Sequence, residues 1–223
     1  MFQSPLPPFL FVTYLSYMRI IRLTESDLVK LVRQVINEET TNLVDFVETL
    51  KSTYEMSDEL ADFVVDFIEK SNCQKIEFAN FKYYALGVAL HNGVLINNVV
   101  LNRSLEFALF VIFHEVAHQY QYKKYGEEKM YELYNDEISI EEGAKFMKEI
   151  ELTADNFASR KIRQLQNMGL IDGKFISPEF YKNVPQLQIV NLIKNIRTQL
   201  SGSNITSPDD ISKYFYNSIK NNI

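Results

Sequence analysis

The chain has 223 residues, 46% hydrophobic and 13% aromatic, enough to bury one sizeable core. Its net charge is −6 and no basic stripe exceeds a few residues, which excludes nucleic-acid binding through phosphate neutralisation. A single cysteine, Cys73, excludes an intrachain disulfide framework and a cysteine-based zinc ribbon, and suits a reducing, cytoplasmic compartment.

From the start of the chain, Phe2 to Tyr17 is apolar and proline-bearing. It is too short to span a bilayer and lacks the basic start and small-residue cleavage site of a secretory signal. Met18 is the expected natural start, with residues 1–17 a non-native or disordered leader. Thr24-Glu-Ser-Asp27 is a capping pattern. It opens an amphipathic helix with Leu28, Leu31, Val32, Val35 and Ile36, giving an N-terminal helical unit over 18–39. Residues 40–223 read as one domain, with a core at about 75–169 and helices over 170–223.

Leu43, Phe46, Val47 and Leu50 mark a first helix of that domain. Leu60, Phe63, Val64, Phe67 and Ile68 mark a second, capped by Ser57. Lys75-Ile-Glu-Phe78 alternates like a strand. Gly87-Val-Ala-Leu90, His91-Asn92-Gly93 and Val94-Leu-Ile-Asn97 read as an antiparallel hairpin turning on Asn-Gly. Residues 90–101 are expected either to offer a strand edge to an extended peptide or to form a plain structural hairpin.

Ser104 then caps a helix that runs apolar from Leu105 to Phe113 and continues into His114-Glu-Val-Ala-His118. A helix apolar on nearly all sides is buried, and two histidines and a glutamate inside it need a partner. Histidines at i and i+4 share a helix face and can reach one ion, with Glu115 beside it to take a proton from a metal-bound water. A catalytic zinc ion keeps three protein ligands, so a third is required. No histidine follows His118, and Gln121 and Lys124 stand where a metzincin would have glycine and histidine. His91 is the remaining histidine; otherwise the ligand is a carboxylate.

After an acidic, tyrosine-rich insert (Gly126 to Glu137), Ser139 and Glu142 form a capping box. It opens a helix expected to run to about Met168, with Gly169 as its stop. Ile140, Ala144, Met147, Ala154, Ala158, Ile162 and Leu165 form its buried stripe. Glu151 and Asp155 lie on that stripe one turn apart. Glu151 serves as metal ligand with Asp155 holding the far nitrogen of a ligand histidine, or both pair with Arg160 or Arg163. Beyond turns at Asp172-Gly173 and Ser177-Pro178, helices are expected from Pro185 to Leu200 and from Ser207-Pro208 to Asn221, packed on the back of the domain with Leu187, Val190, Ile193, Ile211 and Phe215.

HEVAH followed by Glu151-Leu-Thr-Ala154-Asp155-Asn-Phe157-Ala158 resembles the gluzincin metallopeptidases. The resemblance is closest to the ImmA/IrrE-like peptidases and second to a membrane-bound HtpX-like group, and covers roughly residues 85–168. It implies a mostly helical α+β zincin-like fold with a small antiparallel sheet beside the active helix. It further implies one zinc ion on His114, His118 and Glu151, Glu115 as general base, Asp155 behind the ligands, and a peptide or protein substrate. The lack of a multi-span region argues against the membrane-bound group. The oxyanion-stabilising donor stays open among His91, Tyr120, Tyr122, Tyr125, Tyr131, Tyr134 and Tyr181.

The segment from Met18 loosely resembles N-terminal segments of tailed-phage proteins. It offers the alternative of a virion-associated structural or interaction protein that keeps the fold with little or no activity.

Overall fold

The computed structural model describes residues 42–71, 73–80, 85–90, 93–133 and 138–201. The expectations for the leader 1–17, the helix within 18–39, the helix after Pro208, and His91 and Tyr134 lie outside these residues.

A helix over residues 42–54 (α1) leads into α2 (Asp58–Lys70), whose first turn is closed by the Ser57 side chain accepting from the Leu60 amide. Three strands follow: β1 (Lys75–Ala79), β2 (Gly87–Leu90) and β3 (Gly93–Asn97). After a 3-10 turn at Asn98–Asn102 come α3 (Leu105–Tyr125), the short α4 (Glu127–Tyr131), α5 (Ile140–Met168) and α6 (Gln186–Ser201). The architecture is α+β and mostly helical, as expected.

The sheet departs from expectation in two ways. It is mixed rather than antiparallel, with order β1-β3-β2: β2 and β3 form the antiparallel hairpin, and β1 adds parallel to β3. The Leu90–Gly93 pairing also places Gly93 inside β3 rather than in the turn expected at the Asn-Gly pair. β3 is therefore the central strand, with both edges paired. The β3 part of the 90–101 segment thus cannot offer a peptide its edge. Among the described residues the outer strands are β1 and β2, and β2, the one beside α3, is buried over 87–89.

Burial explains why β3 sits in the middle. Its side chains alternate between two cores, as successive strand residues must. Val94 and Ile96 join a first core with Leu50, Leu60, Ile68, Phe110 and Phe113, while Leu95 joins a second with Met147, Ile150 and Ile193. Both faces are covered, so an unbroken apolar run is tolerated.

α3 is the axis of the fold. Ala108 to Gln119 is buried without interruption, so the helix has no solvent face over that span. Ser104 caps its start by accepting from the Phe107 amide, and its main helical neighbour is α5. A side-chain bond fixes its position against the sheet, with Gln119 donating to the Gly93 carbonyl; within the sheet, Asn97 of β3 donates to the Ala85 carbonyl ahead of β2.

α5 is held at both ends by local signals. Ser139 and Glu142 exchange the two bonds of a capping box, and Gly169 takes the left-handed φ of 74° that ends the helix. The insert between α3 and α5 folds back through α4, burying Met130 and Leu133 completely. α6 packs along α5 through Val190 and Ile193, but Leu187, expected in that contact, is 69% exposed. Among the described residues, no helix is long and apolar enough to cross a membrane.

Candidate metal centre

The crossing of α3 and α5 brings His114, His118 and Glu151 together. Their i,i+4 spacing puts the two imidazoles on one face of α3. The stripe of α5 that carries Met147, Ala154 and Ala158 into the interior also carries Glu151 and Asp155. All four polar side chains are buried, Glu151 at 1% exposure.

Nε2 of His118 lies 3.3 Å from Nε2 of His114, and Oε2 of Glu151 lies 3.1 Å from the His114 nitrogen and 3.8 Å from the His118 nitrogen. Donors bound tetrahedrally to zinc at about 2.0–2.2 Å stand about 3.3–3.6 Å apart. The three separations bracket that value. The other Glu151 oxygen, Oε1, is buried and accepts no well-formed hydrogen bond from the described residues. A carboxylate oxygen buried without a short, well-aligned donor favours a cation beside it. Two imidazoles and a carboxylate suit zinc and other divalent first-row ions. The three residues could therefore hold a metal ion.

Each histidine is oriented from behind. Nδ1 of His114 donates to Asp155 Oδ1 at 2.9 Å, leaving Nε2 toward Glu151. Nδ1 of His118 donates to Oε1 of Gln121 at 2.7 Å, and the amide nitrogen of Gln121 donates to the Ile150 carbonyl at 2.7 Å. The second bond fixes which end of the amide faces the ring. Asp155 thus serves His114, one of the two partners expected for it. Arg160, its alternative partner, is exposed, and Arg163 donates to the Ser159 carbonyl.

Electrostatics divide the two rings. Burial alone would lower the His114 pKa, but hydrogen bonds to Asp155 and Glu151 outweigh it and raise the value to about 10. His118 is pushed down to about 4 by burial, helped by the neighbouring His114 charge. For Glu151, burial acts upward, but the two histidines and the facing Tyr181 hydroxyl hold its pKa below the usual range.

Glu115 stands beside this cluster on the same helix. Burial pushes it up to about 8, partly offset by His114 and by the Ala89 amide, which donates to its carboxylate. β2 passes so close that a Cβ at Gly87 would lie 2.4 Å from Glu115 Cγ. A glycine here leaves Glu115 its place; the reason is the approach of a side chain and not backbone dihedrals.

Four contributors to the centre escaped sequence reading: Gln121, Gly87, the Ala89 amide and the position of Tyr181. A polar amide one turn past His118 inside a buried stretch was the available signal for Gln121; Gly87 offered none beyond being a strand glycine. Tyr181 is buried on the strap between α5 and α6. Its amide donates to Asp155 Oδ2 at 3.1 Å, and its ring lies nearly parallel to His114 at a centroid distance of 6.3 Å. Of the other tyrosines considered, Tyr120 packs on Phe67 and Phe157, Tyr122 lies in the second core, and Tyr125 packs on Phe146. The Tyr131 side chain lies outside the described residues.

The centre opens into a cleft of about 650 Å³ whose lining includes His114, Glu115, Tyr181 and several residues of α6. α6 is therefore a wall of the site and not a brace on the back of the domain. Comparison of the chain with protein-family models, with curated proteins and with solved structures yields no match.

Proposed function

We propose that the chain is a zinc-dependent peptidase of the gluzincin kind, with His114, His118 and Glu151 holding one zinc ion. The observation that carries this reading is the setting of Glu115. Its carboxylate is fixed by the Ala89 amide beside three converging donors, at the floor of an open cleft. A structural zinc site is closed by four protein ligands, whereas a catalytic one keeps three. Among the described residues the cluster has three.

A bound zinc ion supplies Lewis-acid polarisation of water and of a substrate carbonyl. Glu115 accepts the proton of the attacking water and returns it to the leaving amine, a role suited to a carboxylate whose pKa is raised toward neutrality. Asp155 and Gln121 hold the rings so that each presents Nε2. Tyr181 lines the same cleft with its hydroxyl turned to Glu151, which helps keep that carboxylate ionised.

The test compares zinc-loaded wild type with Glu115→Gln on a peptide library. The variant is expected to keep fold and zinc while losing cleavage. No cleavage by wild type, or cleavage undiminished in Glu115→Gln, overturns the reading in favour of a partner-binding or virion component that keeps the fold.

A further inference from the structure

α6 carries two opposed stripes. Val190, Ile193 and Arg197 are buried on one, with Arg197 donating to the Ile138 carbonyl at 2.9 Å. Gln188, Asn191, Leu192 and Asn195 lie on the other and line the cleft. With 3.6 residues per turn these four share one face. That face is unusual for a helix bordering solvent: it carries three carboxamides and a leucine, and no charge.

The rest of the lining follows the same chemistry. Leu86, Val111, Val184 and Ile189 supply apolar surface, and among the described residues the ionisable groups of the lining are those of His114, Glu115 and Tyr181. A charged ligand side chain entering this space would lose its hydration, and among the described lining residues only the centre itself carries charge to compensate it. A bulky apolar side chain gains from the same burial. The carboxamides each offer both a donor and acceptors, which is what a peptide main chain needs. From Gln188 to Asn195 the helix rises about 10 Å, the length of about three residues of extended chain.

We infer that α6 is the specificity wall of the cleft. It receives an extended, uncharged peptide segment, whose main chain runs along Gln188, Asn191 and Asn195 and whose bulky apolar residue beside the scissile bond packs on Leu192, Val184 and Leu86. This rests on the peptidase reading of the same site and adds a substrate class to it. Lys148 on α5 holds the strap that leads into this wall, donating to the Val184 carbonyl at 2.9 Å.

The experiment measures binding separately from cleavage. Full-length, zinc-loaded Glu115→Gln protein is titrated with fluorescent peptides that differ at one position as Leu, Phe, Asp or Lys, followed by anisotropy. The Leu and Phe peptides are expected to bind at least about tenfold tighter than the Asp and Lys peptides, the scale of discrimination an apolar pocket provides. Leu192→Arg is expected to abolish that preference and favour Asp. Asn191→Ala combined with Asn195→Ala is expected to weaken all four peptides alike by about fivefold, as for lost neutral hydrogen bonds. Gln188→Arg, at an exposed position, gives the same charge test without touching packing. Apolar-selective binding without wild-type cleavage would support the pocket while removing the peptidase reading. No peptide binding overturns the inference. So does an absent apolar preference, or a preference unchanged by both arginine variants.

Discussion

The side-chain oxygen of Gln121 lies 2.7 Å from Nδ1 of His118, while the nitrogen of the same amide is spent on the Ile150 carbonyl. One side chain thus reads the position of α5 and sets the tautomer of a ring on α3. With Nδ1 carrying the proton, His118 presents an unprotonated Nε2 to the cluster. Gln121→Leu removes the acceptor and leaves the ring free to turn. It is expected to lower zinc affinity by about 10–100-fold, the usual effect of losing such a partner. Gln121→Glu keeps an acceptor and is expected to retain most of the affinity. Competition against a chromophoric chelator measures both, and equal affinity of Gln121→Leu and wild type would remove the orienting role.

Asp155 has a double attachment, and Asp155→Asn separates its two parts. Oδ1 accepts from His114, and Oδ2 accepts from the Tyr181 amide. An asparagine can satisfy only one of these donors, because its other terminus is itself a donor. The variant is expected to bind zinc about 10–100-fold more weakly. It should also free the strap at Tyr181, seen as faster amide exchange there than in Gln121→Leu. Slow exchange at Tyr181 in Asp155→Asn would show that other contacts of the strap suffice.

The parts of this centre that were legible in the sequence are those encoded locally. The i,i+4 histidines, the Ser139 capping box and the stripe of α5 each depend on residues within a few positions, and together they point Glu151 and Asp155 inward. The parts that were not legible depend on packing between distant segments. Gln121 acquires its role from Ile150 on another helix, and Gly87 from a side chain 28 positions later. β1 pairs parallel with β3 through a connection no hairpin signal describes. The apolar residues of α6 announced a packed helix, but its other face gains meaning only from the cleft it borders.

Proton linkage gives a prediction for metal uptake. In the metal-free protein the His114 pKa is about 10, above the ordinary value of 6.5. Its bound proton therefore stabilises that state fully below about pH 6.5, and the contribution is lost as pH rises through about 10. A metal ion on Nε2 must displace this proton. Zinc affinity is expected to rise by about tenfold per pH unit between pH 7 and 9, the slope for one proton released. Calorimetry in buffers of different ionisation enthalpy counts that proton. A pH-independent affinity over this range would mean that His114 carries no extra proton there in the metal-free protein, so that Asp155 and Glu151 do not hold one on it.

Gly87→Ala tests whether the approach of β2 to α3 matters for chemistry rather than for folding. A Cβ at this position would lie 2.4 Å from Glu115 Cγ and 2.8 Å from its Cδ and Oε1. Those separations are well inside contact distance, and the neighbour is a side chain with rotamer freedom, so the glutamate yields before the backbone does. Glu115 is not among the three converging donors, so zinc affinity should stay within a few-fold of wild type. The proton acceptor, however, is moved off its place beside the Ala89 amide. A misplacement of about 1 Å in a catalytic group costs on the order of 100-fold in rate. The expected signature is a fall in kcat of that order with little change in KM, bound zinc or melting temperature. If Gly87→Ala instead lost zinc together with activity, the strand would be bracing the metal ligands as well as Glu115. If activity persisted unchanged, Glu115 would not need the position it holds, and its assignment as general base would fall with it.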